Sequence, residues 1–346
     1  MTTGHSVYPG LNLARLAEFL DTRRPDLFSG QIQADRITGG RSNLTYLVTD
    51  AAGTQLVLRR PPVTHVLATA HDMSRECTVL GALHGATVAV PAVIEFCADE
   101  SVLGAPFYLM EYVPGVAFKR AEQLAALGPA RTELICERMV DTLVALHSIV
   151  PTDVGLAEFG RPVGFLERQV RRWKKQLDAS RSRALPGIEQ FYACLASAIP
   201  SSSNVSILHG DYRLDNLLFD EQDTVTAVLD WEMATLGEPL TDLALLVAYR
   251  KLTAELNVGP DSNNVANAPG FLAAEQLVER YFAQSGRNAP SMGFHLGLAY
   301  FKLITIIEGI HYRNVQSQAA GTETEDVSKR IQPLIAAGLT ALKEEK

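Results

Sequence analysis

Residues 207–220 read ILHGDYRLDNLLFD, and a shorter echo, AVLDWE, follows at 227–232. Asp211 precedes Asn216 by five positions, and Asp230 comes fourteen later. Apolar runs bracket all three, and carboxylates or amides in such surroundings need partners. One amide and two carboxylates make a set of hard oxygens, which suits a divalent cation such as Mg2+ and the phosphates it accompanies. Presented from adjacent strand ends, Asn216 and Asp230 would supply two corners of an octahedron and leave Asp211 to face an acceptor hydroxyl. The competing reading is a polar turn in which Asp and Asn only build the loop. HGD, then LLF, then AVLDWE in that order count against it.

The same offset of Asp to Asn occurs in the kinase catalytic loop. Asp211 is not expected to act as a strong ground-state base. An ordinary aspartate near ~3.9 faces an alcohol near ~15.7, a gap of about 12 units. Full deprotonation before transfer would cost on the order of 16 kcal/mol. A loose phosphoryl-transfer transition state needs little such help. Asp211 is therefore assigned to orienting the hydroxyl and taking its proton late. Asp215 makes a local side-chain contact.

Several elements must position this set. QIQADRIT (31–38), NLTYLVTD (43–50) and TQLVLRR (54–60) are short runs separated by turn residues, and they predict an antiparallel meander. A helix follows over 70–84, with Met73, Cys77, Leu80 and His84 on one face. PAVIEFC and APFYLMEYV add two strands. Beyond residue 121 the pattern is mainly helical. In VGFLERQVRRWKKQL, Leu166, Val170, Trp173 and Leu177 form the inward stripe, and Arg168, Arg171, Lys174 and Lys175 form a basic rim. The polar stretch 256–270 reads as a mobile loop. The expectation is an α+β chain: a small sheet lobe, then a larger helical lobe, joined near 111–115.

Composition narrows the function classes. A chain of 346 residues with a formal net charge of −8 is unlike a nucleic-acid binder. Cys77, Cys97, Cys136 and Cys194 are scattered without CxxC spacing, which predicts reduced thiols in a cytoplasmic protein. The first ten residues lack the pattern of a signal peptide. The most apolar stretch, LGLAYFKLITIIEGI, is interrupted by Lys302 and Glu308, so no membrane span is expected.

The chain resembles the aminoglycoside phosphotransferase and choline kinase-like group within the protein-kinase-like fold. More narrowly, it resembles the kinase-like domains fused to, or beside, acyl-CoA dehydrogenases. GGRSNLTYLV, LVLRRPP, FYLMEYVPG, GFLERQVRRWKKQ, HGDYRLDNLLF, VLDWEMATLGEPLTDLA and YFKLITIIEGIHYR carry the resemblance across nearly the whole sequence. It implies a two-lobe fold, with residues 1–112 as the nucleotide-binding lobe and 113–346 as the catalytic and substrate-binding lobe. It also implies ATP and Mg2+ as cofactors.

Site roles carry over by position. Gly39, Gly40, Ser42 and Asn43 correspond to the turn that covers the phosphates. Arg59 stands where a phosphate-gripping Lys is usual, with Glu76 as its partner; a guanidinium is larger, planar and able to bind two oxygens at once. Glu111 and Val113 would meet adenine through their backbone. His209 would orient the catalytic loop, and His147 would pack in the large lobe. Asp242, at the start of the PLTDLALLVAYRKL helix, is read as structural, capping that helix or tying it to the loop above it.

Two acceptors are compatible with this reading. The narrower resemblance implies a hydroxyacyl thioester, with Arg171 and Arg172 receiving the phosphates of coenzyme A. The broader one implies an aminoglycoside or other hydroxylated antibiotic, which a net −8 would suit. A nucleotide-binding pseudokinase or scaffold is the alternative outside enzymology, and Arg59 in place of Lys is its support.

Overall fold

The computed structural model describes residues 8–37, 43–63, 72–201, 204–254, 264–288, 291–319 and 330–344. Gly39, Gly40, Ser42 and residues 256–263 of the expected loop lie outside these. The chain divides into two compact units, Met1–Gly115 with Thr226–Glu232, and Val116–Val225 with Met233–Lys346. Asp230 therefore belongs to the same unit as Arg59 and Glu76.

The first unit is built on an antiparallel sheet. β1 (Gln33–Arg36), β2 (Leu44–Thr49), β3 (Gln55–Arg60), β4 (Val93–Cys97) and β5 (Phe107–Glu111) are arranged in the order β1-β2-β3-β5-β4. Alternation along β2 puts Leu44, Tyr46 and Val48 inward, where Leu58, Phe107 and Leu109 meet them. Helix α1 (Leu13–Arg23) adds Leu16 and Leu20 to this core. It escaped the sequence reading, although Asn12 caps it by accepting from the Arg15 N–H at 3.1 Å.

Helix α2 (Met73–Leu83) falls within the range expected, but with a different inner face. Met73, Glu76, Val79, Leu80 and Leu83 are buried, Cys77 is half-buried and His84 is exposed. The face is rotated because Glu76 turns inward to a cationic partner. The short helix α3 (Glu100–Leu103) precedes β5. The segment Thr226–Glu232 is anchored here by the Val228 N–H, which donates to the Ala89 carbonyl at 2.8 Å.

The second unit is mainly helical. It contains α4 (Ala121–Ala125), α5 (Pro129–Ser148), α6 (Phe165–Ser180), α7 (Ile188–Ser197), α8 (Leu240–Ala254), α9 (Ala274–Ser285), α10 (Gly293–Ala319) and α11 (Ile331–Glu344). The short strands β6 (Ser206–Leu208), β7 (Leu217–Phe219), β8 (Val225–Val228, where the unit boundary falls) and β9 (Thr235–Gly237) interrupt the helices, and β6 pairs antiparallel with β9. The expected stripe of α6 is buried, namely Leu166, Val170, Trp173 and Leu177 with Phe165.

By length and composition alone, Gly293–Val315 of α10 could cross a membrane, contrary to expectation, and 78% of its most apolar stretch is buried inside the protein. That is the pattern of a core helix. Two of its charges are accommodated inside: Glu308 is fully buried and accepts from Arg183 at 3.0 Å, and Lys302 donates to a backbone carbonyl. The described end of the 256–270 segment is packed rather than loose. Val265, Ala266 and Ala268 are buried, and the Asn264 side chain accepts from the Ala121 N–H at 2.8 Å.

Candidate active site

Arg59 lies on β3, opposite Thr45 on one side and Tyr108 on the other. Its Nε is 3.2 Å from Oε2 of Glu76, and its Nη2 donates to Oδ1 of Asp230. A guanidinium can serve two carboxylates at once because its donors are fixed in a planar fork. Burial works against the Arg59 charge, but Glu76 and Asp230 outweigh it and hold the group above its ordinary value. Burial pushes the Glu76 carboxyl up, against the pull of Arg59.

Asp230 has a φ of 67°, in the left-handed region that non-glycine residues rarely adopt. Its neighbours hold it there: Trp231 is buried, and its indole N–H donates to the Val228 carbonyl at 2.9 Å. Asn43, the placed member of the phosphate-turn group, donates from Nδ2 to Glu232 at 3.1 Å. Glu111 ends β5 with its N–H given to the Ala92 carbonyl at 2.9 Å, and Val113 lies two residues beyond it, past the strand end.

In the second unit, β6 ends at Leu208 and the chain turns through His209, Gly210 and Asp211. Buried Asp242, in the first turn of α8, accepts the His209 N–H at 2.7 Å and the Gly210 N–H at 2.9 Å. Burial alone would raise the Asp242 carboxyl, but His147 and the His209 N–H prevail and hold it below the usual carboxylate range. His147 is buried; Nδ1 pairs with the Tyr281 hydroxyl at 2.8 Å, and Nε2 is 3.5 Å from Asp242.

Gly210 has a φ of +83°, and a Cβ there would stand 2.4 Å from the Met233 carbonyl oxygen, so this position requires glycine. The Asp211 N–H donates to Nδ1 of His209 at 3.2 Å, which fixes the imidazole with its other nitrogen protonated.

The side chains around Asp211 are specific. Asn216 Nδ2 donates to the Asp211 carbonyl at 2.9 Å, so its amide oxygen is turned the other way. Tyr249 donates from its hydroxyl to Oδ1 of Asp211 at 3.0 Å. Arg213 pairs with Asp215 and lies over the Tyr249 ring at 5.3 Å from the centroid. Lys302 donates to the Gly210 carbonyl at 2.5 Å and approaches the Trp173 ring at 5.5 Å. Arg172 approaches the same ring at 5.3 Å. Burial lowers the Lys302 ammonium from its ordinary value, while Asp211 works in the opposite direction.

Of the expected residues, the structure joins Arg59, Glu76 and Asp230 in one group, and His209, Asp211 and Asn216 in another. Arg171 and Arg172 are both exposed, and Arg172 is brought to Trp173. Tyr249, Arg213 and Lys302 were missed. Lys302 carried a signal, a lone cation in an apolar helical run. Tyr249 carried none.

No cluster of three or more His, Cys, Asp or Glu side chains that could hold a metal occurs among the described residues. Mg2+ does not need such a cage, because it keeps waters and binds with substrate phosphates through one or two protein oxygens. In the second unit the Asn216 amide oxygen, and in the first the part-exposed Asp230 carboxylate, whose side chain is 26% accessible, are each an oxygen donor of that kind.

Residues 33–268 match the model of the phosphotransferase enzyme family. The chain belongs to that family. Acyl-CoA dehydrogenase family member 10 of Mus musculus is 33% identical over 87% of this chain, and family member 11 of Gallus gallus is 33% identical over 91%. The chain spans 28% and 41% of those two proteins, well under half of either.

Among solved structures, a Ralstonia eutropha JMP134 protein assigned as an aminoglycoside phosphotransferase superposes with a TM-score of 0.81 at 29% identity. The match covers 97% of this chain and 99% of that one. Choline kinase from Cryptosporidium parvum gives 0.61 at 13% identity, with 95% and 96% covered. Aminoglycoside phosphotransferase APH(4)-Ia, in a ternary complex with AMP-PNP and hygromycin B, gives 0.59 at 14%, with 93% and 98% covered. The family member thus has an α+β, protein-kinase-like fold.

Proposed function

We propose that this family member transfers the γ-phosphate of ATP, with Mg2+, to a hydroxyl of a small molecule. The observation that carries the reading is the loop of residues 209–216. Its backbone is tied by Asp242, His209 and Asn216, and it presents the Asp211 carboxylate with the Asn216 amide oxygen turned away from the tie. Asn216 and Asp230 would hold the Mg2+, which when bound neutralises phosphate charge. Arg59, kept cationic by Glu76, would grip a phosphate, with Gly39, Gly40, Ser42 and Asn43 covering the tail and Glu111 and Val113 meeting the base. Asp211 would orient the acceptor hydroxyl and receive its proton late in the transfer.

For the acceptor, the cations near Asp211 favour an anionic guest. Arg213 and Lys302 both feel the Asp211 charge, and Lys302 also feels that of Arg172. A polycationic aminoglycoside would meet like charge there, an arrangement that costs affinity. A hydroxyacyl thioester of coenzyme A brings phosphates and a polar carbonyl to the same surface, consistent with the names of the curated relatives. Incubation with γ-labelled ATP and a metabolite extract, followed by mass spectrometry, tests the reading. A labelled hydroxyacyl-CoA supports it, and a labelled aminoglycoside from a supplied panel would replace the acceptor. Transfer by Asp211→Asn at the wild-type rate would remove Asp211 from the mechanism.

A further inference from the structure

We propose that Tyr249 is a positioning residue for Asp211, fixing one carboxylate oxygen so that the other is presented to the acceptor. The inference rests on the reading of Asp211 given above and adds a residue that neither motif nor family resemblance singles out.

Helix α8 touches the catalytic loop at two points. Asp242 and Tyr249 are seven residues apart, two turns along, and therefore share a helical face. Asp242 holds the loop backbone through the His209 and Gly210 N–H groups. Tyr249 holds the side chain, its hydroxyl 3.0 Å from Oδ1 of Asp211.

The backbone of Asp211 is already fixed at both ends, its N–H given to His209 and its carbonyl accepting from Asn216. The remaining freedom is rotation of the carboxylate about its side-chain bonds. A donor on Oδ1 removes that freedom, and a hydrogen bond to a charged acceptor is the stronger kind. The donor is itself held, because the Arg213 guanidinium lies over its ring and Arg213 is in turn paired with Asp215. Burial, and then the Asp211 charge, raise the Tyr249 phenol, so its proton stays available for donation. Oδ2 is thereby left as the oxygen that faces the acceptor O–H. Proximity effects depend on such fixed geometry.

Water is an acceptor that any preparation contains, so the test uses ATP hydrolysis with Mg2+ and no other acceptor. Wild type, Tyr249→Phe, Asp211→Asn and the double variant are compared by release of labelled phosphate. Tyr249→Phe keeps the ring under the Arg213 guanidinium but removes the hydroxyl's hydrogen bonds to both Asp211 and Arg213, and a melting midpoint within about 2 °C of wild type confirms that the fold is intact.

The expected result for Tyr249→Phe is a kcat about tenfold lower, with the KM for ATP within about twofold. Asp211→Asn is expected to lose on the order of a hundredfold. The double variant should match Asp211→Asn alone, because a residue acting through another has nothing left to position.

A wild-type kcat for Tyr249→Phe, or a tenfold loss repeated on top of Asp211→Asn, overturns the role of Tyr249 and leaves that of Asp211 standing. A rise in the KM for ATP with kcat unchanged also overturns it. Hydrolysis by Asp211→Asn at the wild-type rate instead removes Asp211, and the positioning role falls with it.

Discussion

Nε of Arg59 lies 3.2 Å from Oε2 of Glu76, with side-chain exposures of 11% and 1%. The pair joins the middle of the sheet to α2, and the same guanidinium donates to Asp230. Replacing Glu76 with Ala leaves a buried cation with one partner fewer. Removing one member of a buried pair costs about 3–5 kcal/mol, and the lower end is expected because Asp230 remains. Urea unfolding of the Glu76→Ala variant measures this; a loss below about 0.5 kcal/mol would show that the pair is not structural.

Arg59→Lys keeps the charge but not the fork. A lysine ammonium is a point charge on a flexible stem and does not span Glu76 and Asp230 in one fixed geometry. The KM for ATP is expected to rise about tenfold, the magnitude of one charge-assisted hydrogen bond, and the melting midpoint to fall because one carboxylate loses its partner. Steady-state kinetics decide the matter, and an unchanged KM would mean that a single point of positive charge is enough.

Gly210→Ala is expected to damage both stability and activity. At a φ of +83° an L residue is strained, and the added Cβ would meet backbone, the Met233 carbonyl oxygen at 2.4 Å. Backbone cannot yield as a side-chain tip does. The strain alone is worth about 1–3 kcal/mol, and relief by shifting the loop would displace Asp211 one residue on. Thermal unfolding and ATP turnover should fall together. A variant of wild-type stability and rate would show that the loop is not held as tightly as its hydrogen bonds imply.

Arg171 and Arg172 are adjacent in sequence and differ in setting. Both are exposed on the helix, but the Arg172 guanidinium lies over the Trp173 ring, which Lys302 also approaches. For a CoA-linked acceptor, Arg172→Gln is expected to raise KM about tenfold, as a lost charged contact does, and Arg171→Gln to change it less than about twofold. Equal effects would return the interaction to the whole basic rim and remove the distinction.

Local pattern made the strands, α2 and the α6 stripe legible, because alternation and helical spacing are properties of neighbouring residues. Helix α1 was missed although Leu16 and Leu20 are spaced four apart; its short apolar face stood beside strand-like runs. The inner face of α2 was misjudged because Glu76 looks like a surface residue until Arg59 is placed opposite it. Asp211 and Asn216 were readable since their loop is contiguous, and Asp230 because the AVLDWE strand follows closely in sequence. Tyr249 and Lys302 were not, because they reach the loop from 38 and 92 residues away along the chain. Nothing local marks such contacts, and only the packing of α8 and α10 creates them.

His295, on α10, is 5% exposed, and burial pushes its imidazole down to about 4 from an ordinary 6.5. The folded state therefore refuses a proton that the unfolded chain accepts. Stability is fully present above the unfolded value of 6.5, declines as pH falls towards 4, and levels off below that for this group. The decline amounts to about 3 kcal/mol. His147, also lowered by burial although Asp242 opposes, adds to it in the same direction. Urea midpoints measured between pH 7 and pH 4 should fall, and His295→Leu should flatten the slope without abolishing it, since His147 remains. An unaltered slope in that variant would assign the acid sensitivity to other groups.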